Sequence, residues 1–158
     1  MEQRGSSLLE VLVATSITAV GVIALAHVAV LATRVNLLGR QTTVAAVLAQ
    51  QKMEALLPET VAGIALSPDG VLDHNVDGYF DFVDRRGTVL GAGPAPPPPG
   101  SAFLRRWSIE LLPTVTDTVV LQVVVTDLRT LDAAGAATAV TRQPGGARVV
   151  TAATRKAP

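Results

Sequence analysis

The stretch Val11–Thr33, VLVATSITAVGVIALAHVAVLAT, decides how the rest of the chain is read. It holds no charged residue over 23 positions, and before its closing Thr33 the only polar interruptions are Thr15, Ser16, Thr18 and His27. As a helix it would extend about 35 Å at 1.5 Å per residue, against a hydrocarbon core of about 30 Å, so it can span a bilayer with some tilt. Met1-Glu2-Gln3-Arg4-Gly5 stands before it, too short and too polar for the basic and apolar regions of a secretory signal. No small-x-small site with a polar sequel follows the run, so the segment reads as retained rather than removed. Arg4 lies on one side and Arg34 and Arg40 on the other, which leaves the positive-inside count undecided.

The rest of the composition takes its meaning from that run. The chain has 158 residues, enough for one domain and an appendage. Lys and Arg total 13, as do Asp and Glu, and a neutral chain has no global attraction to polyphosphate, so nucleic acid is not the partner it suggests. Apolar residues make up 49% and charged residues 16%, where a soluble domain carries about 25% charge. The mean hydropathy of +0.42 is correspondingly high. The absence of cysteine excludes disulfide scaffolds, thiolate metal sites and cysteine nucleophiles, and two histidines argue against a zinc enzyme. Gly-x-Ser-x-Gly, His-Glu-x-x-His, Walker and dinucleotide signatures are missing, so an enzyme is the weakest class.

Beyond Thr33 nothing interrupts a helix until Pro58; residues 34–57 are rich in Arg, Gln, Ala, Leu and Met, with Gly39 as the weak point. At 100° per residue Leu38, Ala45, Ala49, Met53 and Leu56 form one stripe for packing, while Arg40, Gln50, Gln51 and Glu54 lie opposite. One helix from Ser6 to Leu57 would be about 78 Å long, half of it in lipid and half projecting. Glu10 borders the apolar run, where an acid costs roughly 2.5–3.5 kcal/mol at mid-helix and less near the interface. Two readings of it stand side by side. Ser7 as N-cap with Glu10 three residues on makes a capping box; alternatively, Glu10 awaits a positive partner within the membrane.

Arg4-Gly5-Ser6-Ser7-Leu8-Leu9-Glu10-Val11-Leu12-Val13-Ala14 resembles the class III signal of type IV pilins and type II secretion pseudopilins. The resemblance implies a short basic leader, residues 1–5, cut after Gly5 by a prepilin peptidase that N-methylates the new first residue, Ser6. It also implies that Glu10, at the fifth mature position, aids recruitment of the subunit into a filament. Glycine before the cut suits a peptidase that must approach the backbone closely. Ser6 replaces the family's common Phe, and His27 stands where many major pilins carry a helix-kinking proline, which leans toward a minor pilin or pseudopilin. Leu48-Ala-Gln-Gln-Lys-Met-Glu-Ala-Leu56 is similar to the helix end of PilV-type minor pilins and I-type pseudopilins. The implied partners are other minor pilins, a major pilin, the peptidase and an inner-membrane assembly platform. The implied location is the bacterial inner membrane as a single-pass protein with a periplasmic domain, then the pilus on the cell surface, in adhesion or twitching motility. A type II secretion pseudopilin is the alternative, and a signal-anchored envelope domain binding calcium or a ligand is the alternative of another class.

After Pro58, residues 58–158 read as short β-branched runs between turns. Strands are predicted at Val61–Leu66, Tyr79–Val83, Thr88–Leu90, 103–111 and Val119–Thr126, the last apolar on both faces and the candidate central strand. Residues 139–142 and 147–152 suggest a closing hairpin across Gln143-Pro144-Gly145-Gly146. Gly91–Gly100, GAGPAPPPPG, is an extended connector. The expected architecture is α+β and pilin-like: a long N-terminal helix, transmembrane over 6–33 and amphipathic over 34–57, packed on an antiparallel sheet.

Asp73, Asn75, Asp77, Asp81 and Asp84, with Gly78, match the oxygen spacing of an EF-hand loop at positions 1, 3, 5, 9 and 12, with Asp where the bidentate Glu belongs. Calcium is thus a candidate cofactor, against which stands the absence of amphipathic flanking helices and a strand over 79–83 that would send Asp81 and Asp84 to opposite faces. Arg85-Arg86 and Arg105-Arg106 lack interleaved aromatics and read as solvated edges rather than a DNA-binding patch.

Overall fold

A computed structural model of the chain describes residues 8–61, 65–93, 96–113, 115–134 and 145–154. Helix α1 (Leu8–Val61) is followed by strands β1 (Phe80–Val83), β2 (Val89–Gly91), β3 (Phe103–Leu112) and β4 (Val115–Asp127), a short helix α2 (Leu128–Ala134) and strand β5 (Ala147–Thr154). The strands form one open antiparallel sheet in the order β2-β1-β3-β4-β5, which makes the chain α+β as the sequence predicts. It divides into two compact units, one ending at Leu37 and the other beginning at Leu38.

In the first unit the described helix is exposed at every residue. Its hydroxyl side chains bond to the helix itself: Thr15 donates to the Val11 carbonyl at 2.8 Å, Ser16 to Leu12 at 2.7 Å, Thr18 to Ala14 at 2.8 Å and Thr33 to Ala29 at 2.9 Å. A polar side chain whose proton is bonded to the i−4 carbonyl presents little unsatisfied polarity outward.

In the second unit, the helix lays Ala45, Leu48, Ala49, Met53 and Leu56 onto one face of the sheet, against Val83, Phe103, Trp107, Ile109, Val119, Leu121, Val123 and Val125. The predicted stripe is right in four members; Leu38 is 42% exposed and Leu48, one turn before Lys52, takes its place. The strand period of two puts Trp107 opposite Val123 and Ile109 opposite Leu121, all on this face. On the reverse face Phe80, Phe82 and Leu104 form a smaller cluster closed by Leu128 and Leu131 of α2. The rings of Phe80 and Phe82 meet edge to face, centroids 5.7 Å apart.

Three sequence expectations are corrected, and one element, α2, stands where none is predicted. The helix continues past Leu57 to Val61 with Pro58 inside it; Pro58 removes a single amide donor, and Glu54, whose carbonyl loses it, is exposed. No strand occupies 61–66 where described: Val61 ends the helix, 62–64 lie outside the described residues, and 65–68 are irregular. Ser67 instead clasps β3, donating its amide to the Ile109 carbonyl at 2.9 Å while its hydroxyl accepts the Ile109 amide at 3.0 Å, and Pro68 cannot extend a ladder. β3, not β4, holds the middle of the sheet. Helix α2 was not foreseen, although Asp127 caps it by accepting the Arg129 amide at 2.9 Å, a signal legible in Asp-Leu-Arg-Thr-Leu. The predicted strand 139–142 lies outside the described residues; its partner is β5, hydrogen-bonded to β4.

Candidate functional site

Two features carry chemistry, one in each unit. The first is the helix surface itself. Leu8, Leu9, Ile17, Val20, Val22, Leu25, Val28 and Val35 are each 61–83% exposed, far beyond the scattered apolar side chains of an ordinary surface. Glu10, in the first turn, is the only charged residue of the stretch 8–33 and is exposed. By length and composition this helix can cross a membrane and is a candidate anchor. Gly5 and Ser6, the residues assigned to processing, and the proposed cap Ser7 lie outside the described residues.

The second feature is ionic and buried where helix meets sheet. β1 and β3 pair Asp81 directly opposite Arg105. Arg105 donates through Nε to Asp81 Oδ1 at 2.8 Å and through Nη2 to Oδ2 at 2.7 Å, and its Nη1 reaches the Leu48 carbonyl of the helix at 3.3 Å. Both side chains are 5% exposed. Lys52 comes down from the helix to within 3.9 Å of Asp81, its Nζ 3.5 Å from the centre of the Trp107 ring. Burial pushes the Lys52 ammonium below its ordinary pKa; Asp81 opposes that shift and Arg105 adds to it. A fork-to-fork guanidinium–carboxylate pair of this kind carries geometric specificity as well as energy. Arg105 is therefore not a solvated edge residue: strand alternation sends it inward and its neighbour Arg106 outward.

Arg106 organises the Asp-rich loop. It donates through Nε and Nη2 to Asn75 Oδ1 at 3.0 and 2.8 Å, and through Nη1 to the Leu72 carbonyl at 3.1 Å. The five oxygens proposed for calcium do not come together. Asp73 and Asp77 are exposed, Asn75 serves Arg106, and Asp81 lies on the helix side of the sheet paired with Arg105. Asp84 closes the β1–β2 turn, accepting the Arg86 and Thr88 amides at 2.8 Å each. Among the described residues no three His, Cys, Asp or Glu side chains converge as a metal site requires. The reason is the start of β1 at Phe80, because an EF-hand loop must curl around its ion where this segment extends.

No protein-family model, curated protein or solved structure matches the chain.

Proposed function

We propose that this chain is a minor pilin, a structural and non-catalytic subunit of a type IV pilus that contributes to initiation of the filament or to its tip complex. One observation carries the reading: a helix whose residues 8–40 are exposed on every side, apolar through Thr33, with a lone acid in its first turn. Such a surface must be buried by something. Each Leu, Val or Ile moved from water into lipid or a helix bundle contributes about 1.5–3 kcal/mol. The back-bonded hydroxyls of Thr15, Ser16, Thr18 and Thr33 suit either setting. Glu10 fits the same account: the amine released at Ser6 by a cut after Gly5 would lie one helical turn from its carboxylate, on the same or a neighbouring copy. On this reading the chain stands in the bacterial inner membrane before assembly, with its sheet-bearing part in the periplasm, and then joins major and minor pilins in the filament.

The test is mass spectrometry of the mature N-terminus together with filament incorporation of Glu10→Ala. The reading expects a chain beginning at N-methylated Ser6, and a Glu10→Ala subunit that is processed normally yet largely missing from filaments. An uncut leader in a host with an active prepilin peptidase, or Glu10→Ala incorporated at the parent's level, overturns it.

A further inference from the structure

A hollow of about 430 Å³ opens where the β1–β2 turn, the residues leading into β3 and the first residues of α2 meet. We propose that it binds a small phosphorylated anion through Arg85, Arg86 and Arg129, with the Ser101 hydroxyl as an additional donor.

The argument begins with what the charges in the hollow already do. Two carboxylates line it, and the hydrogen bonds of both hold the backbone rather than a guanidinium. Asp84 Oδ1 accepts the Arg86 and Thr88 amides, and Asp127 Oδ1 accepts the Arg129 amide. The Thr88 amide above all holds the Asp84 carboxyl below the usual carboxylate range; desolvation opposes it, and the Arg86 amide adds to the lowering. The guanidinium groups of Arg85, Arg86 and Arg129 have no hydrogen-bond or ion-pair partner among the described residues. Three cations against two carboxylates leave the hollow one positive charge in excess, before any ligand enters. Ser101 lines the same hollow, and its Oγ, buried, also lacks a partner among the described residues. An unpaired buried hydroxyl costs free energy that a ligand oxygen would recover.

The rim is built rather than loose. The Ser101 amide donates to the Pro98 carbonyl at 3.1 Å, the Ala102 amide to Val83 at 2.9 Å and the Leu128 amide to Ala102 at 3.0 Å. The end of β1, the entry to β3 and the start of α2 are thus stitched together around the hollow, and Gly100, at φ +90°, supplies the turn that a side-chain-bearing residue rarely adopts. The phosphoryl group suits this set better than a carboxylate does. Planar guanidinium forks each take two oxygens, and a phosphate monoester offers three peripheral oxygens and a charge near −2, where a carboxylate offers two and −1. The volume leaves room for the organic part of a small ester beside the phosphoryl group.

The proposal stands apart from the pilus reading, because every group it uses belongs to the second unit. Calorimetric titration of the full chain in maltoside micelles, at low ionic strength, tests it with inorganic phosphate, glycerol 3-phosphate, succinate and a short DNA duplex as probes. Saturable binding of one glycerol 3-phosphate per chain is expected, with inorganic phosphate binding the same site and succinate binding more weakly. Arg129→Ala and Arg86→Ala should each weaken binding roughly tenfold or more, as loss of a charge-assisted contact implies. Arg148→Ala, on β5 away from the hollow, should leave it unchanged, and unaltered melting of each variant shows that the fold persists. No saturable binding of either phosphate, equal weakening by Arg148→Ala, or duplex binding with no phosphate-ester binding overturns the proposal.

Discussion

Replacing Asp81 by alanine removes the carboxylate that Arg105 grips and leaves a guanidinium, 5% exposed, near Lys52 with no other ion-pair partner among the described residues. Breaking a buried pair by deleting one partner costs about 3–5 kcal/mol, because the surviving charge stays desolvated. That is a large fraction of a domain stability of about 5–15 kcal/mol. With a urea slope of about 2 kcal/mol per molar, the unfolding midpoint should fall by about 1.5–2.5 M. Trp107, the sole tryptophan, 7% exposed and stacked under Lys52, reports this unfolding by fluorescence in the full chain in micelles. Two further measurements separate this mechanism from a simple packing defect. The pair Asp81→Leu with Arg105→Met should recover most of the loss, since an apolar replacement of both partners is near neutral. The pH dependence should also steepen. Lys52 has a native pKa below its unfolded value, so its charged form penalises folding until pH rises through the native pKa toward 10.5. Asp81 is the main influence raising that pKa, and without it burial and Arg105 act together, so Asp81→Ala should regain stability with rising pH more than the parent does. An Asp81→Ala variant within about 1 kcal/mol of the parent, or strict additivity with Arg105→Met, refutes the reasoning.

Three further outcomes follow from local geometry. Gly87 has φ +90°, and a Cβ there would come within 2.9 Å of Gln51 Oε1 and 3.0 Å of Leu48 Cδ2, so Gly87→Ala should destabilise by about 1–3 kcal/mol in urea melts. Ser108 is fully buried and its hydroxyl has no partner among the described residues, so Ser108→Ala should be neutral or stabilising by up to about 1 kcal/mol, and a clear loss would reveal a partner. The Asp84 carboxyl is held below 3.8 by the Thr88 and Arg86 amides, so it contributes stability above pH 3.8 that is lost as pH falls through the lower native value. Acid melts of Asp84→Asn should be flatter than the parent's in that window, and parallel curves would contradict the assignment.

What was legible in the sequence had a short period. A run without charge from Val11 to Thr33, a helical stripe through Ala45, Ala49, Met53 and Leu56, and alternation along Phe103–Ile109 each concern neighbours within one element, and the structure places them as that pattern requires. What was not legible joins elements. Arg105 falls with Trp107 and Ile109 on that alternation, yet as half of Arg105-Arg106 it reads as a solvated edge, because the carboxylate that makes its burial tolerable stands on another strand. Its partner lies 24 residues away, a distance no window spans. The Asp-rich loop shows the converse error: correct spacing for one backbone path, read on a segment that takes another. The hollow beside α2 could be foreseen only through the cap at Asp127, since its arginines come from two separate places in the chain, the β1–β2 turn and the first turn of α2.

The buried pair also answers a question that hydrophobicity leaves open. β1 is Phe80-Asp81-Phe82-Val83, four residues buried on both faces, so its pattern alone says little about register against β3. A slip of one residue would turn Asp81 away from the helix and expose the Phe pair to the wrong side. A slip of two would preserve the faces and set Asp81 opposite Phe103 or Trp107, and apolar packing would barely object. The carboxylate would then be buried with no guanidinium beside it, at a cost of several kcal/mol, while Arg105 lost both of its short bonds. One cross-strand pair thus rejects the register that the core would otherwise tolerate. Because Arg105 also bonds the Leu48 carbonyl and Lys52 reaches Asp81, the same pair sets where the helix sits along β3. A charge that adds little net stability can in this way decide which of several well-packed arrangements the chain adopts.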